Sequence, residues 1–354
     1  MKNIMKILFA ISTSFALIAS SANAGELTVS GTAKATYSIV SGFNGVGQNG
    51  GDKGVAVANE LNFGASGELD NGWTWNYSTE LDPAATAAGG AAMNDDNQLT
   101  LSTDYGTIGF FTSEGGLGSH LKFSKDAYGL MSDTGYNEGK TEAANISGFN
   151  NIQYHLPADM LPFSTTAKVG YATSGSTVVG SNNTSNVASS DTVDNVSQYQ
   201  ITTVPMEGMM VYVSYLEKDS KGSTTEQDAQ SGAVMVTYDI AGTNASIGFG
   251  VSANEPHIAD GAQGANVVAY TTNENISVGY VVNDDLSVSY TRERSENETF
   301  TTTDTVSDVE VDSFQAAYTM GGMTLAIAHT KYDNVGYVAD KSADETIFAM
   351  TMAF

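Results

Sequence analysis

The last ten residues constrain the chain more than any other stretch. Glu345 to Phe354 read Glu-Thr-Ile-Phe-Ala-Met-Thr-Met-Ala-Phe. In a strand, successive side chains point to opposite faces. Phe348, Met350, Met352 and Phe354 then share one face, and Ala349, Thr351 and Ala353 the other, with Ile347 the only large side chain among them. One face is large and apolar, the other small and mildly polar. A water-soluble sheet would leave such a strand unprotected. A closed sheet in lipid suits it, because the apolar face meets hydrocarbon and both edges are paired.

The same alternation recurs upstream. Leu27, Val29, Ala33, Ala35 and Tyr37 alternate with Thr28, Ser30, Thr32, Lys34 and Thr36. Leu61, Phe63, Ala65 and Leu69 alternate with Asn62, Ser66 and Glu68, and a tight Asp70-Asn71-Gly72 turn leads into Trp73, Trp75, Tyr77 and Leu81. The Trp and Tyr residues on one face fit an interfacial aromatic girdle. Leu101 and Val278 are expected to face outward, and Thr100 and Ser277 inward, with arginine better tolerated at the inward pair. A soluble β-sandwich is the competing architecture, and it would need a second sheet over the apolar face.

Connection lengths favour the barrel. Short turns fall at Asp70 to Gly72, Asp104 to Gly106, Pro157 to Pro162, Pro205 to Gly208, Ala241 to Thr243, Asn283 to Asp285 and Gly321-Gly322. Long polar loops lie between them, near 39–58, 82–96, 114–149, 173–196, 217–231, 253–273, 294–310 and 333–344. Seven turns and eight loops join sixteen strands. The expected fold is all-β: a 16-stranded antiparallel transmembrane β-barrel with short turns on one side and long loops on the other. Val268, Tyr270 and Thr272 share parity with Ile276, Val278, Tyr280 and Val282, which allows one long strand instead of a seventeenth.

Met1 to Ala24 reads as a cleaved signal peptide. Lys2 and Lys6 precede an apolar core from Ile7 to Ala19, and Ala22-Asn23-Ala24 is an A-x-A site. The core is too short to span a bilayer as a helix. The barrel is then residues 25–354. Without residues 1–24 the chain keeps 40 Asp+Glu, while Lys+Arg falls from 14 to 12, so the formal charge goes from -26 to -28. This acidity argues against nucleic acid as a partner. There is no cysteine, so an exported chain has neither disulfides nor thiol chemistry.

The terminal strand resembles the last strand of Gram-negative outer-membrane barrels, in which a final Phe is an assembly signal. Asn150-Asn151-Ile152-Gln153-Tyr154-His155-Leu156-Pro157, followed by a turn and the strand Ala167 to Tyr171, is similar to the sixth and seventh strands of proteobacterial and neisserial general porins. Ser113-Glu114-Gly115-Gly116 stands where enteric porins open their third loop with Pro-Glu-Phe-Gly-Gly, and lacks the Pro and the Phe. The resemblance implies periplasmic turns, extracellular loops, and a third loop folded into the pore. It places Glu114, Lys122, Lys125, Asp126, Asp133 and Glu138 at the constriction and makes Phe354 the assembly signal. It also implies a homotrimer, the barrel-assembly machinery, outer-membrane lipid and lipopolysaccharide as partners, and small hydrophilic solutes as cargo. By parity, Lys34, Glu68, Glu80, His155 and Lys168 line the wall. The third loop's five acids and three lysines point to weak cation selectivity.

Other chemistry has little footing. There is no G-x-S-x-G, H-E-x-x-H or P-loop, so no enzyme is expected. The four histidines lack ligand spacing, although His329 shares the lipid-facing parity of Leu325 and Ile327, where an outer-membrane phospholipase would carry its Ser-His pair. No cofactor is expected. Loop-bound Ca²⁺ at Asn94 to Asn97, or at Asp308, Glu310 and Asp312, is the alternative to solvated acids. A substrate-specific channel and a surface adhesin with a blocked lumen remain as alternative functions.

Overall fold

The computed structural model describes residues 27–42, 53–81, 96–112, 114–118, 126–129, 144–158, 160–173, 193–220, 225–259, 261–262, 264, 267–300 and 306–354. The expected signal peptide lies outside them. In chain order the strands are β1 (Thr28–Ser41), β2 (Lys53–Glu68), β3 (Thr74–Leu81), β4 (Asn97–Thr103), β5 (Gly106–Thr112) and β6 (Asn151–His155). Next come β7 (Thr166–Thr173), β8 (Val193–Met206), β9 (Met209–Ser220), β10 (Thr225–Gln227), β11 (Ala229–Asp239) and β12 (Ala245–Glu255). The last are β13 (Ile258–Ala259), β14 (Val268–Val281), β15 (Leu286–Thr299), β16 (Val309–Met320), β17 (Met323–Asp333) and β18 (Ser342–Ala353).

Sixteen of these strands close into one antiparallel barrel, each paired with its neighbour in the chain, and β1 paired with β18. The remaining two, β10 and β13, form a separate two-stranded ribbon between the loops that follow β9 and β12. At two or three residues per strand, this ribbon is too short to stand out in the sequence. Val268–Val281 is a single strand, as its parity allows.

Closure decides which way each residue points. Ala35 faces Met350 and Tyr37 faces Phe348 across the β1–β18 seam, so the apolar face of the last strand is the outer face. The barrel's outer surface carries Phe110, Ile152, Val169, Tyr199, Val213, Val234, Phe249, Val278 and Leu325, all exposed. The inner surface carries Gln153, Gln198, Ser214, Asn273, Thr291, Ser313 and Thr330, all buried. This inversion of the soluble rule is what lipid outside and polar contents inside require. Trp75 and Tyr77 lie on the outward face of β3, opposite Gly67 and Ala65 of β2, while Trp73 belongs to the turn before it.

All seven short connections join the strands expected of them. Pro205, expected in a turn, instead lies inside β8, where the β8–β9 register shifts between Thr203 and Met206. A proline has no N–H for the ladder and sits at such irregularities. The turn itself is Glu207-Gly208. Gly208 has φ of 77°, and a Cβ there would come within 2.6 Å of the Asp239 carbonyl oxygen. Several loops are shorter than expected, because β15 runs on to Thr299 and β9 to Ser220.

Apolar residues also collect at the loop end of the inner face. Val309, Val311, Tyr332, Val335 and Ala343 form one cluster, with Tyr337 packed against it. The connection after β17 turns inward to supply Val335 and Tyr337, using left-handed backbone at Asn334, Tyr337 and Asp340. Tyr337 shares a 2.7 Å hydrogen bond between its hydroxyl and that of Ser295.

Arginine at Val278, which is outward and exposed, should cost roughly 2–4 kcal/mol if that site is near the bilayer midplane. Thr100, inward and half-buried, should accept it. Ser277 is inward too but fully buried, so it should reject arginine, contrary to the parity rule alone. Folded yield, read as heat-shifted mobility on unboiled gels, checks all three.

Candidate pore constriction

The segment between β5 and β6 forms the third loop, and its described parts touch opposite walls. Near its root, Leu117 and Ile146 are buried with Ala172 of β7, Val196 of β8 and Leu216 of β9, all on the inner face. Backbone groups there find polar wall residues. The Ile146 N–H donates to Gln198 Oε1 at 2.7 Å, and Gln200 Nε2 donates to the Leu117 carbonyl at 3.2 Å. The Tyr212 hydroxyl donates to the Gly118 carbonyl at 3.2 Å, and the Ala144 N–H to Ser231 Oγ at 2.8 Å. Asn145 joins the two arms of the loop: its Oδ1 accepts from the N–H groups of Leu117 and Gly118 at 3.1 and 3.0 Å. Gly170 of β7 leaves room for this root, since a Cβ there would lie 2.9 Å from both Leu117 Cδ1 and Ile146 Cδ1.

The middle of the loop is held elsewhere. The Ala127 N–H donates to Ser289 Oγ of β15 at 2.8 Å. Gln315 of β16 takes the Tyr128 N–H on its Oε1 at 2.9 Å and returns its Nε2 to the Gly129 carbonyl at 2.9 Å. The Thr291 hydroxyl donates to the Asp126 carboxylate. Lys34 of β1 places its Nζ 4.6 Å from the centre of the Tyr128 ring, a cation–π contact. In the order of the barrel, β9 and β1 are eight strands apart out of sixteen. A loop that touches both must cross the lumen.

The expected site residues fall in different places. Lys34 and Asp126 meet the loop's middle, Lys34 through Tyr128 and Asp126 through Thr291. Glu114 opens the loop, its carboxylate accepting from the Gly115 N–H at 2.9 Å and its carbonyl from Asn151 Nδ2 at 3.1 Å. His155 and Lys168 face each other across β6 and β7. His155 Nε2 is 2.8 Å from Gln153 Oε1, and its ring stacks on Phe111 with centroids 6.3 Å apart. Glu80 is half-buried opposite Asn62, and Glu68 is exposed near the turn that follows β2. Lys122, Lys125, Asp133 and Glu138 lie outside the described residues.

Phe354 seals the seam. Its N–H donates to the Gly31 carbonyl at 3.0 Å, and the Gly31 N–H donates to its carbonyl at 2.8 Å. His329 faces outward as its parity says, with Nδ1 2.9 Å from Thr346 Oγ1. Among the described residues no three His, Asp or Glu side chains converge as a metal cluster.

Sequence reasoning followed charge and missed the neutral residues that hold the loop: Gln198, Gln200, Tyr212, Ser289 and Gln315. Parity could have found the three glutamines. A primary amide both donates and accepts, so at an inward position it can hold a passing backbone.

A sixteen-stranded barrel with an apolar exterior, a polar interior and a loop across its lumen is an outer-membrane channel. The chain belongs to the Gram-negative porin family, whose model matches residues 11–353. No curated protein matches it significantly. Solved structures share the fold at low identity. An anion-selective porin from Comamonas acidovorans is 13% identical, with TM-score 0.63 over 93% of this chain and 100% of that one. The outer-membrane channel DcaP of Acinetobacter baumannii is 12% identical, with TM-score 0.65 over 93% and 97%. The trimer form of OmpT from Vibrio cholerae is 14% identical, with TM-score 0.57 over 94% and 100%.

Replacing Gln315 with Ala removes the side chain that holds Tyr128 and Gly129, at roughly 1 kcal/mol net per hydrogen bond lost. The barrel should still assemble. Its single-channel conductance in planar bilayers should rise and become noisier as the loop's middle comes free.

Proposed function

We propose that the chain forms a passive diffusion pore for ions and small hydrophilic solutes, weakly cation-selective and working as a homotrimer. The observation that carries this reading is the polar loop docked to facing walls of a polar lumen. Such a loop narrows the passage.

The sign of selectivity follows from charge on the inner face. Among the described residues, Glu60, Glu68, Glu80, Asp239, Glu293 and Glu345 of the wall and Glu114 and Asp126 of the loop place acids on the inner face. Lys34, Lys168 and Lys218 are the inward cations set against them, so acids outnumber cations on this face. A low-dielectric wall focuses such a field, and acids lining a pore favour cations. The anion-selective Comamonas porin shares the fold, and at 13% identity the likeness says nothing of the sign.

Two further parts of the reading rest on particular residues. The outward positions Ala33 and Ala35 of β1 are small enough for a neighbouring barrel to approach closely, in keeping with the OmpT neighbour's trimer form. We assign Phe354 as the assembly signal read by the barrel-assembly machinery, and residues 1–24 as the export signal. Deleting Phe354 removes the last contact of the β1–β18 seam and should leave the protein unassembled in the periplasm.

Reversal potentials in a KCl gradient test the central proposal. Cation preference should decline as salt rises, since the Debye length falls from ~10 Å at 0.1 M to ~3 Å at 1 M. Neutralising Glu60, Glu68 and Glu80 to Gln should reduce the preference, and Lys168→Gln should increase it. Anion preference in the unaltered protein would overturn the sign and leave the pore; absence of conductance would favour the blocked adhesin.

A further inference from the structure

Two of the barrel's turns are flanked on both sides by methionine. Met206 and Met209 bracket Glu207-Gly208, and Met320 and Met323 bracket Gly321-Gly322. Gly321 takes the left-handed backbone, with φ of 60°, that a two-residue hairpin turn uses. The second pair gains a third member. Met323 faces Met320 on one side and Met352 of β18 on the other, so three methionines stand side by side on β16, β17 and β18. Parity with Tyr318, Leu325 and Met350 puts this row on the outer face. It is the last row before the Gly321-Gly322 turn, and Met320 and Met352 remain open to approach, at 51% and 44% exposed.

Contact with hydrocarbon does not by itself select methionine three times over. The next row up on the same strands carries Tyr318, Leu325 and Met350, and the one above it Ala316, Ile327 and Phe348. Those rows are apolar and mixed; the turn-end row is uniform in sulfur. Residues opposite one another in an antiparallel pair have Cα atoms roughly 4.5–5.5 Å apart. A methionine side chain is unbranched, with a polarizable thioether at the end of three rotatable bonds. The sulfurs of Met320 and Met352 can therefore turn toward that of Met323, which lies between them. The neighbours of the row on the outer face are Tyr318, Leu325, Met350 and, across the seam, Ala33. None of these offers a carboxylate or an imidazole.

The chemistry of the donor set indicates the ligand. Thioether sulfur is a soft, uncharged ligand and selects Cu(I) among the biological metals. Zn²⁺ takes thiolate, imidazole or carboxylate, and Ca²⁺ takes oxygen, none of which this row supplies. We propose that Met320, Met323 and Met352 form a three-sulfur site for a soft monovalent cation, Cu(I), at the turn end of the outer face. No ligand has to lose a proton, so the ion enters and leaves without acid–base cost. The other methionine-flanked turn is the internal contrast: Met209 meets Tyr238 on its far side, not a third methionine. The proposal uses only the barrel's register and is independent of what the pore conducts.

The test titrates the folded full chain, in mild detergent and chloride-free buffer, with Ag(I) as the redox-inert counterpart of Cu(I). A second titration uses Cu(I) itself, kept reduced by ascorbate under nitrogen. Bound metal is counted per barrel, and the NMR signals of isotope-labelled methionine methyl groups report which sulfurs respond. One ion should bind per barrel, and the signals of Met320, Met323 and Met352 should shift together. The M320L/M323L/M352L variant keeps the row apolar and close to its original volume, and it should lose the ion. The M206L/M209L variant should keep it. Zn²⁺ should leave the three signals unmoved. Absence of saturable binding would overturn the proposal, and so would binding that the triple variant retains. An unaltered protein that binds no ion, with a triple variant that dissociates the oligomer, would make the row a packing contact between copies instead. Should the triple variant fail to fold, the methyl signals of the unaltered protein decide: no shift, or shifts at other methionines alone, would contradict the site. Conductance of the same preparations in bilayers tests the pore separately.

Discussion

In hydrocarbon a backbone group without a partner has no water to turn to, so a spanning sheet cannot have an edge. Everything else in this molecule depends on that constraint. It is met at one seam, where β1 meets β18 and Phe354 exchanges two backbone hydrogen bonds with Gly31. Once the sheet closes, each strand has one face in lipid and one in the lumen. Side-chain alternation then becomes a division between membrane and pore, and a shift of one residue would exchange the two.

Closure also creates a problem inside. A ring of sixteen strands encloses more space than wall side chains can fill. The third loop occupies part of it, and a backbone crossing a lumen needs fixed partners if it is to hold one path. An apolar anchor secures its root against β7, β8 and β9, and neutral polar side chains secure its middle on β15 and β16. Residues such as Gln198 and Gln315 therefore serve structure, while the charges on β2, β3 and β7 are left to shape the passage. Outside, charge is excluded from the belt and gathers above it, around Arg292 and Arg294.

The fold was legible because its signals are local and repeated. Parity, seven short turns and the apolar terminal strand suffice for strand number, direction and facing. What could not be read depends on contacts across the lumen. Ser277 has the parity of a pore-lining residue, yet it is fully buried, because burial inside a barrel depends on what fills it. Pro205 looked like turn punctuation and is a strand irregularity, since in a bulge its missing N–H costs no ladder bond. The β10–β13 ribbon depends on two loops meeting. At the constriction, charge drew attention to Lys34 and Asp126, which do meet the loop, and away from the glutamines that anchor it. Four of the expected constriction residues, Lys122, Lys125, Asp133 and Glu138, lie outside the described residues.

The central claim is that a loop anchored on facing walls narrows an otherwise wide, open barrel. Polymer exclusion tests it most directly. Single-channel conductance is recorded in planar bilayers with polyethylene glycols of increasing size, and the size at which conductance recovers gives the width of the passage. The account predicts an open channel whose cut-off is well below that of an unobstructed sixteen-stranded barrel, and a larger cut-off when Gln315 is replaced by Ala. A cut-off as large as the bare barrel in the unaltered protein, or no conductance at all, would contradict it.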